Sequence, residues 1–294
     1  HTPIRRQRQM CIRDRKSSDI SPTVQDDERF GAAPYIHGYN DPKYHAALLR
    51  TREFARLKKR VLLWLVAHDR ALTKNIETTQ ADKEPWLTYH DMKTGGIMGM
   101  LPLVKDMPLR ITQTDHKRKH LRMFKNSRCR LFGWELHPVD KQRLENHTGA
   151  ELALQYMPIC LYLQFPGATW IEHEDLGAGV AQLKPTYLTW ALDKHWTQKI
   201  ERRGFPIASD FSGTAHSFQG SNLAAAIIDC SDWSTPPTRK DQLTGYMCLN
   251  RVETADCLRI SQPFSPQLFR NGDLPGPDLF LKFLRRGSRW TRST

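Results

Sequence analysis

Between Leu101 and about Ile207 the chain breaks into short runs of β-forming residues separated by turn residues, and this punctuation restricts the fold more than any other feature. Pro108 to Thr112, Cys129 to Leu136, Ile159 to Phe165 and Thr186 to Leu192 are each strand-length, with Gly133, Pro138, Pro166-Gly167 and Gly177 as interruptions. No helix-length amphipathic pattern dominates, so a small β-barrel or twisted sheet is expected here. Beyond Phe211 the texture changes. A strand-like Ala225 to Asp229 precedes an acidic, proline-rich loop, the helix-prone QLTGYMCLNRV, a strand-like CLRIS, a Pro/Gly loop and a final helix around Asp278 to Arg286. Strands alternating with helices mark a parallel α/β layer, whose motifs gather in loops at the strands' carboxyl ends.

Upstream, Phe54, Leu57, Val61 and Leu65 fall at helical steps with Arg56, Lys58, Lys59 and Arg60 between them, which predicts one or two amphipathic helices from Tyr44 to Leu72. The basic RLKKR run reads as the solvated face of such a helix, with phosphate contact as the alternative. Ser17 to Ala33 reads as a polar linker and Thr73 to Glu84 as a surface excursion. The longest dense apolar run, Val61 to Ala67, is far below the roughly 18 residues that span a bilayer. The six cysteines include no C-x-x-C pair, which argues against a disulfide framework or a zinc knuckle. His116 and His120 lie four apart in the basic DHKRKHLRMFKNSRCR stretch without a third ligand at metal spacing, so no metal site is expected.

The net charge of +13 makes a polyanion a reasonable partner. Part of it sits in Arg5 to Arg15, RRQRQMCIRDR, which looks like translated sequencing adapter in a chain that starts without Met; a basic arm that binds nucleic acid is the alternative. Setting residues 1–20 aside removes a net +4 and leaves +9.

Thr214 to Gly220, TAHSFQG, places a histidine, a serine and a glutamine before a turn glycine, between the extended Phe205-Pro206-Ile207-Ala208 and the apolar Leu223 to Ile228. This run resembles motif V of superfamily 1 helicases of the Pif and RecD type, T-x-H-K-S-Q-G. GYMCLNRVETADCLRIS, Gly245 to Ser261, resembles motif VI of the same family. MLPLVKDMPLRITQTDH followed by Asn126-Ser127-Arg128 resembles the entry to its inserted barrel, and the ending QPFSPQLFRNGDLPGPDLFLKFLRRG resembles the tail of Pif-like or Helitron-type helicases of dinoflagellates. Together the likeness covers roughly residues 34 to 287.

The resemblance implies an α/β fold: a second RecA-like P-loop NTPase-type helicase domain at about 31–97 and 206–287, interrupted by a Src-homology-three-like β-barrel at 98–205. Residues 1–30 are then linker and artefact, and 288–294 a tail. It further implies that Arg251 contacts the γ-phosphate as an arginine finger, consistent with the need of phosphoryl transfer for cationic charge stabilisation; a surface arginine capping a helix end is the alternative. Thr214 and His216 match positions beside the bound single strand, Gln219 and Gly220 the turn that links that strand to the nucleotide cleft, and Arg128 the barrel's nucleic-acid contact. Tyr246 matches the motif VI tyrosine, with core packing as the alternative.

Departures are equally visible. Ser217-Phe218 replaces the family's Lys-Ser, Asn250 replaces a serine, and the barrel's N-G-x-R-G has lost both glycines. No G-x-x-x-x-G-K-[ST] occurs, and no apolar strand ends in an Asp-Glu pair. The chain therefore reads as the C-terminal portion of an ATP-dependent, 5′ to 3′ DNA helicase: a nuclear monomer that binds single-stranded DNA and works with ATP and Mg²⁺ only alongside a missing N-terminal RecA-like domain. A non-catalytic nucleic-acid-binding remnant of a mobile element is the alternative.

Overall fold

A computed structural model of the chain describes residues 28–31, 33–38, 40–72, 80–116, 118–121, 123–231 and 236–270. The adapter-like Arg5 to Arg15 run, the final helix around Asp278 to Arg286 and the 288–294 tail lie outside the described residues. The chain divides into two compact units, a central one of residues 41–212 and a flanking one formed by the segments up to Asn40 and from Gly213 onward.

The central unit opens with helix Asn40–Leu57, whose third residue is a proline, tolerated where first-turn N–H groups have no partner within the helix. Lys43, Ala47, Thr51 and Ala55, at steps of four, form its buried stripe, with Phe54 beside them. The helix does not run on to Leu72 as the periodicity predicts. Lys59 takes a left-handed φ of 52°, the Arg60 N–H reaches the Ala55 carbonyl at 2.9 Å, and the Lys59 N–H reaches that of Arg56 at 3.1 Å. These are the paired bonds of a Schellman stop. Leu57 is left 46% exposed, and Leu65 lies instead in strand Leu62–Val66. That strand is central, antiparallel to Met100–Leu103 and parallel to Glu151–Ala153. A strand covered on both faces has the continuous apolar run that a buried helix also has, which is why the period misleads here.

The strands expected beyond Leu101 form within about a residue of their predicted bounds. Ile207–Ser209, Pro108–Ile111, Arg128–Glu135, Cys160–Gln164 and Val180–Leu183 make a five-stranded antiparallel sheet in that order. Thr186–Ala191, Lys199–Gly204 and His68–Ala71 make a three-stranded antiparallel sheet. One core joins Phe54, Leu62, Leu63 and Leu65 to Leu103, Leu109, Leu131, Leu161, Leu163 and Phe211. Residues 41–97 therefore share sheets and a core with residues 98–212.

Beneath the three-stranded sheet, Trp86, Trp190 and Ile200 form a second cluster around Arg202, which is fully buried. Its guanidinium grips Asp69 through two parallel bonds of 2.7 and 2.6 Å and also donates to the Trp86 carbonyl at 2.8 Å. A buried ion pair is tolerated when its remaining donors are satisfied in this way.

The flanking unit holds a four-stranded sheet in the order Ser212–Thr214, Tyr35–His37, Ala226–Ile228, Leu258–Ile260, the last three parallel. Helix Arg239–Leu249 begins at a capping box in which Thr238 and Asp241 satisfy each other's backbone N–H groups. Gly245 sits mid-helix because a Cβ there would come within 3.1 Å of Leu268. Ile36, Ala215, Phe218, Ala226, Ile228, Cys248, Leu258 and Leu268 are its core. No helix among the described residues is long and apolar enough to cross a membrane.

Candidate functional site

The TAHSFQG run leaves strand Ser212–Thr214 and turns once as a 3₁₀ helix over Ala215–Phe218. Its apolar residues, Ala215 and Phe218, are buried, whereas His216, Ser217, Gln219 and Gly220 face solvent and Thr214 is half-buried. The turn thus anchors itself by two side chains and displays the polar ones. Ser217 Oγ–H donates to the Thr214 carbonyl at 2.7 Å, and the Gln219 N–H donates to that of His216 at 3.2 Å. Gly220 adopts φ +77°, a conformation that glycine enters without a Cβ penalty. Gly213 has a different reason: a Cβ there would stand 2.5 Å from the Phe218 ring.

Arg251 leaves the end of helix Arg239–Leu249 and is only 8% exposed. Its Nε–H donates to the Met247 carbonyl at 2.8 Å and one terminal N–H donates to the Phe218 carbonyl at 3.0 Å. The same guanidinium therefore closes the helix and holds the TAHSFQG turn. The backbone repeats the link, since the Leu223 N–H reaches the Arg251 carbonyl at 2.8 Å and Leu223 bridges Val252 in parallel. The two motifs, separated in sequence, form one structural piece. Tyr246 is half-buried on the same helix.

Two residues not singled out from sequence stand at the carboxyl ends of adjacent parallel strands. His37 and Asp229 are 3% and 7% exposed, with Nδ1 and Oδ2 3.8 Å apart. Asp229 also accepts from the Ser231 N–H at 2.9 Å and from its hydroxyl at 2.6 Å. The available signal was an acid placed directly after an apolar strand. Nearby, burial pushes the Cys248 thiol up to about 12; Arg251 lowers it and Asp229 raises it.

Arg128 belongs to the central unit. Its Nε lies 3.0 Å from Asp210, and its side chain is 42% exposed. Asp210 is buried, which raises its pKa against the pull of Arg110, Arg128 and Lys43. Arg128 is thus a partly exposed partner of a buried carboxylate. Arg110 stands 3.9 Å from the other oxygen of Asp210.

Two arms of the Arg251 guanidinium are turned onto backbone carbonyls.

The flanking unit is a mainly parallel α/β layer, and the central unit holds two antiparallel sheets and one mixed sheet. No protein-family model and no curated protein matches the chain. Solved structures do. The Pif1 helicase from Candida albicans aligns with TM-score 0.56 and 12% identity over 97% of this chain and 58% of that one. A structure of two coordinating Pif1 helicases unwinding forked double-stranded DNA gives 0.52 and 10% over 98% and 53%. Pif1 from Bacteroides in complex with ADP-AlF3 and single-stranded DNA gives 0.50 and 9% over 97% and 55%. The fold of the chain is similar to that of these Pif1 helicases, and the chain spans a little over half of their length.

Proposed function

We propose that this chain is the second motor half of a Pif-like DNA helicase and that it contributes a surface for single-stranded DNA. The observation that carries this reading is the bonding of Arg251 to the carbonyl of Phe218. It ties a turn displaying His216, Ser217 and Gln219 to the end of the motif VI-like helix, so that a shift at one is felt at the other. In this reading the parallel layer is the second RecA-like domain and the strands of 98–205 are the inserted barrel. Thr214 and His216 lie against the DNA strand, Arg128 adds a cation from the barrel, and Gln219 and Gly220 form the hinge toward the nucleotide. ATP and Mg²⁺ are held in the whole protein together with a first RecA-like domain, and unwinding runs 5′ to 3′ by a nuclear monomer.

The inward bonds of Arg251 also favour a second reading, a nucleic-acid-binding remnant without motor function, in which that arginine serves architecture alone. Both readings require DNA binding.

Fluorescence anisotropy with a labelled oligothymidylate, at about 50 and about 200 mM salt, tests the shared requirement. Three or four phosphate contacts lower affinity roughly 20- to 50-fold across that range, and His216→Ala weakens binding further. Absence of binding at the lower salt overturns both readings. Stimulation of a separately supplied first RecA-like domain's ATPase by this chain, lost in Arg251→Lys, distinguishes the motor half from the remnant.

A further inference from the structure

The three-stranded antiparallel sheet of the central unit has one buried face and one bare face, and strand register determines which side chains share each. Trp190 pairs with Ile200, and Leu188 with Arg202 and Asp69, which puts these on the face toward the Trp86 cluster. The alternate positions stand on the other side. There Tyr187 is opposite Arg203, which is opposite His68; Thr189 is opposite Glu201, which is opposite Arg70; and Ala191 is opposite Lys199. Arg70, Lys199 and Arg203 thus share this face with a single carboxylate, Glu201, which is already engaged by Arg70 at 2.8 Å.

Tyr187 is 58% exposed, with the Arg203 guanidinium 5.8 Å from its ring centre. The exposed ring beside that arginine offers a flat face on which a planar group can stack. His68, Asp69, Arg70, Tyr187, Glu201 and Arg203 line an open depression of about 390 Å³, with the Asp69 carboxylate itself held by Arg202 on the buried side.

The hairpin that joins the first two strands of this sheet is built to present a second aromatic. Asp193 accepts from the His195 N–H at 3.2 Å, the Thr197 N–H at 3.2 Å, the Thr197 hydroxyl at 2.8 Å and the Gln198 N–H at 2.9 Å. These bonds hold its carboxyl down at about 2. They fix a tip on which Trp196 adopts φ +58° and remains 53% exposed, with Lys194 and His195 immediately before it. A bulky residue in the left-handed region persists only where its surroundings impose it. From Tyr187 to the last paired residue, Ala191, the strand covers roughly 14 Å before the tip begins.

We infer that this face and its hairpin tip form a second single-stranded DNA platform, with unpaired bases stacking on Tyr187 and Trp196 and phosphates neutralised by Arg203, Lys199 and Arg70. Exposed rings set among cations on an open antiparallel sheet suit a flexible polyanion with flat apolar bases; a duplex buries its base faces and offers nothing to stack. The inference rests on the reading of the chain as a DNA-binding helicase half. It adds a site in the central unit, apart from the TAHSFQG turn.

The test is anisotropy titration of the full chain with a labelled oligothymidylate, comparing wild type with Tyr187→Ala, Trp196→Ala, Tyr187→Phe and His216→Ala. Both rings are solvent-facing, so circular dichroism melting should be unchanged. Loss of a stacked base weakens binding about 5- to 150-fold, and Tyr187→Phe, which keeps the ring, stays within about twofold of wild type. Ultraviolet cross-linking to the same oligonucleotide should place adducts on peptides containing Tyr187 or Trp196. Wild-type affinity in both alanine variants, with binding lost in His216→Ala, overturns the platform and leaves the functional reading intact. The opposite pattern keeps the platform and removes the motif V surface. No binding by wild type overturns both, and tighter binding of duplex or of oligouridylate overturns the single-stranded DNA assignment.

Discussion

Replacing Arg251 by alanine should loosen the TAHSFQG turn before it does anything else. The guanidinium makes two charge-assisted bonds, 2.8 Å to the Met247 carbonyl and 3.0 Å to the Phe218 carbonyl. Each such bond contributes about 1.5–3 kcal/mol. The Phe218 carbonyl keeps a second partner, the Ser221 N–H at 3.0 Å, so it is not orphaned when the arginine goes. That places the net loss near the lower end of the combined range, about 3 kcal/mol. If the loss is expressed as local opening, the Ser221 and Leu223 amides, which bond to the Phe218 and Arg251 carbonyls, exchange about 150-fold faster. Hydrogen exchange read by mass spectrometry on peptides spanning residues 214–224 measures this directly. Arg251→Lys should be intermediate, because an ammonium cannot span both carbonyls with the planar fork of a guanidinium. Unchanged exchange at Ser221 and Leu223 in Arg251→Ala would refute the argument that this side chain couples the two motifs.

Arg202→Met strands the Asp69 carboxylate, 2% exposed, and should cost about 3–5 kcal/mol in urea unfolding. Arg202→Met combined with Asp69→Leu should recover most of that; a double variant no more stable than the single one refutes the account. Gly213→Ala drives a methyl into the Phe218 ring and should destabilise by about 1–3 kcal/mol, seen as faster exchange in the same turn. Stability should also depend on pH in the alkaline range. Burial and Arg110 lower the Lys43 pKa to about 8, so from there to about 10.5 the unfolded chain binds the extra proton and stability rises with pH. Tyr44 shifts the other way, raised by burial and by Asp91, which its hydroxyl meets at 2.5 Å. Above about pH 10 the unfolded chain releases that proton first and stability falls. The buried Cys248 and Cys129 thiols, raised by burial, also lose their protons first in the unfolded chain above about pH 9, so thermal melts of wild type should peak at about pH 9, with Lys43→Met flattening the rise and Tyr44→Phe easing the fall at higher pH; unaltered profiles in the variants would show that Lys43 and Tyr44 do not control the dependence.

The fold was legible wherever local chemistry dictates local shape. Turn residues and β-branched or aromatic runs located the strands around Pro108, Arg128, Cys160, Thr186, Ala226 and Leu258, and the TAHSFQG run announced a turn beside a parallel layer. The stop at Leu57 was not legible. Its left-handed position is held by Lys59, not by a glycine, and the paired bonds to Ala55 and Arg56 that make this tolerable exist only once the chain has turned. Leu62–Val66 could not be told from a helix, since being covered on both faces erases the alternation that marks a half-buried strand.

The sequence by itself therefore determined which segments are extended, which are helical, and which polar residues sit on a turn. Tertiary structure alone decided that residues 41–97 share a core with 98–212, that Arg251 turns inward onto Phe218, and that Tyr187, Arg203 and His68 line up on one bare face. Each of these depends on which strand pairs with which, and in what register. A one-residue slip would exchange the two faces of the three-stranded sheet, and only the burial of Trp190, Ile200 and Arg202 against Trp86 and Asp69 selects between them.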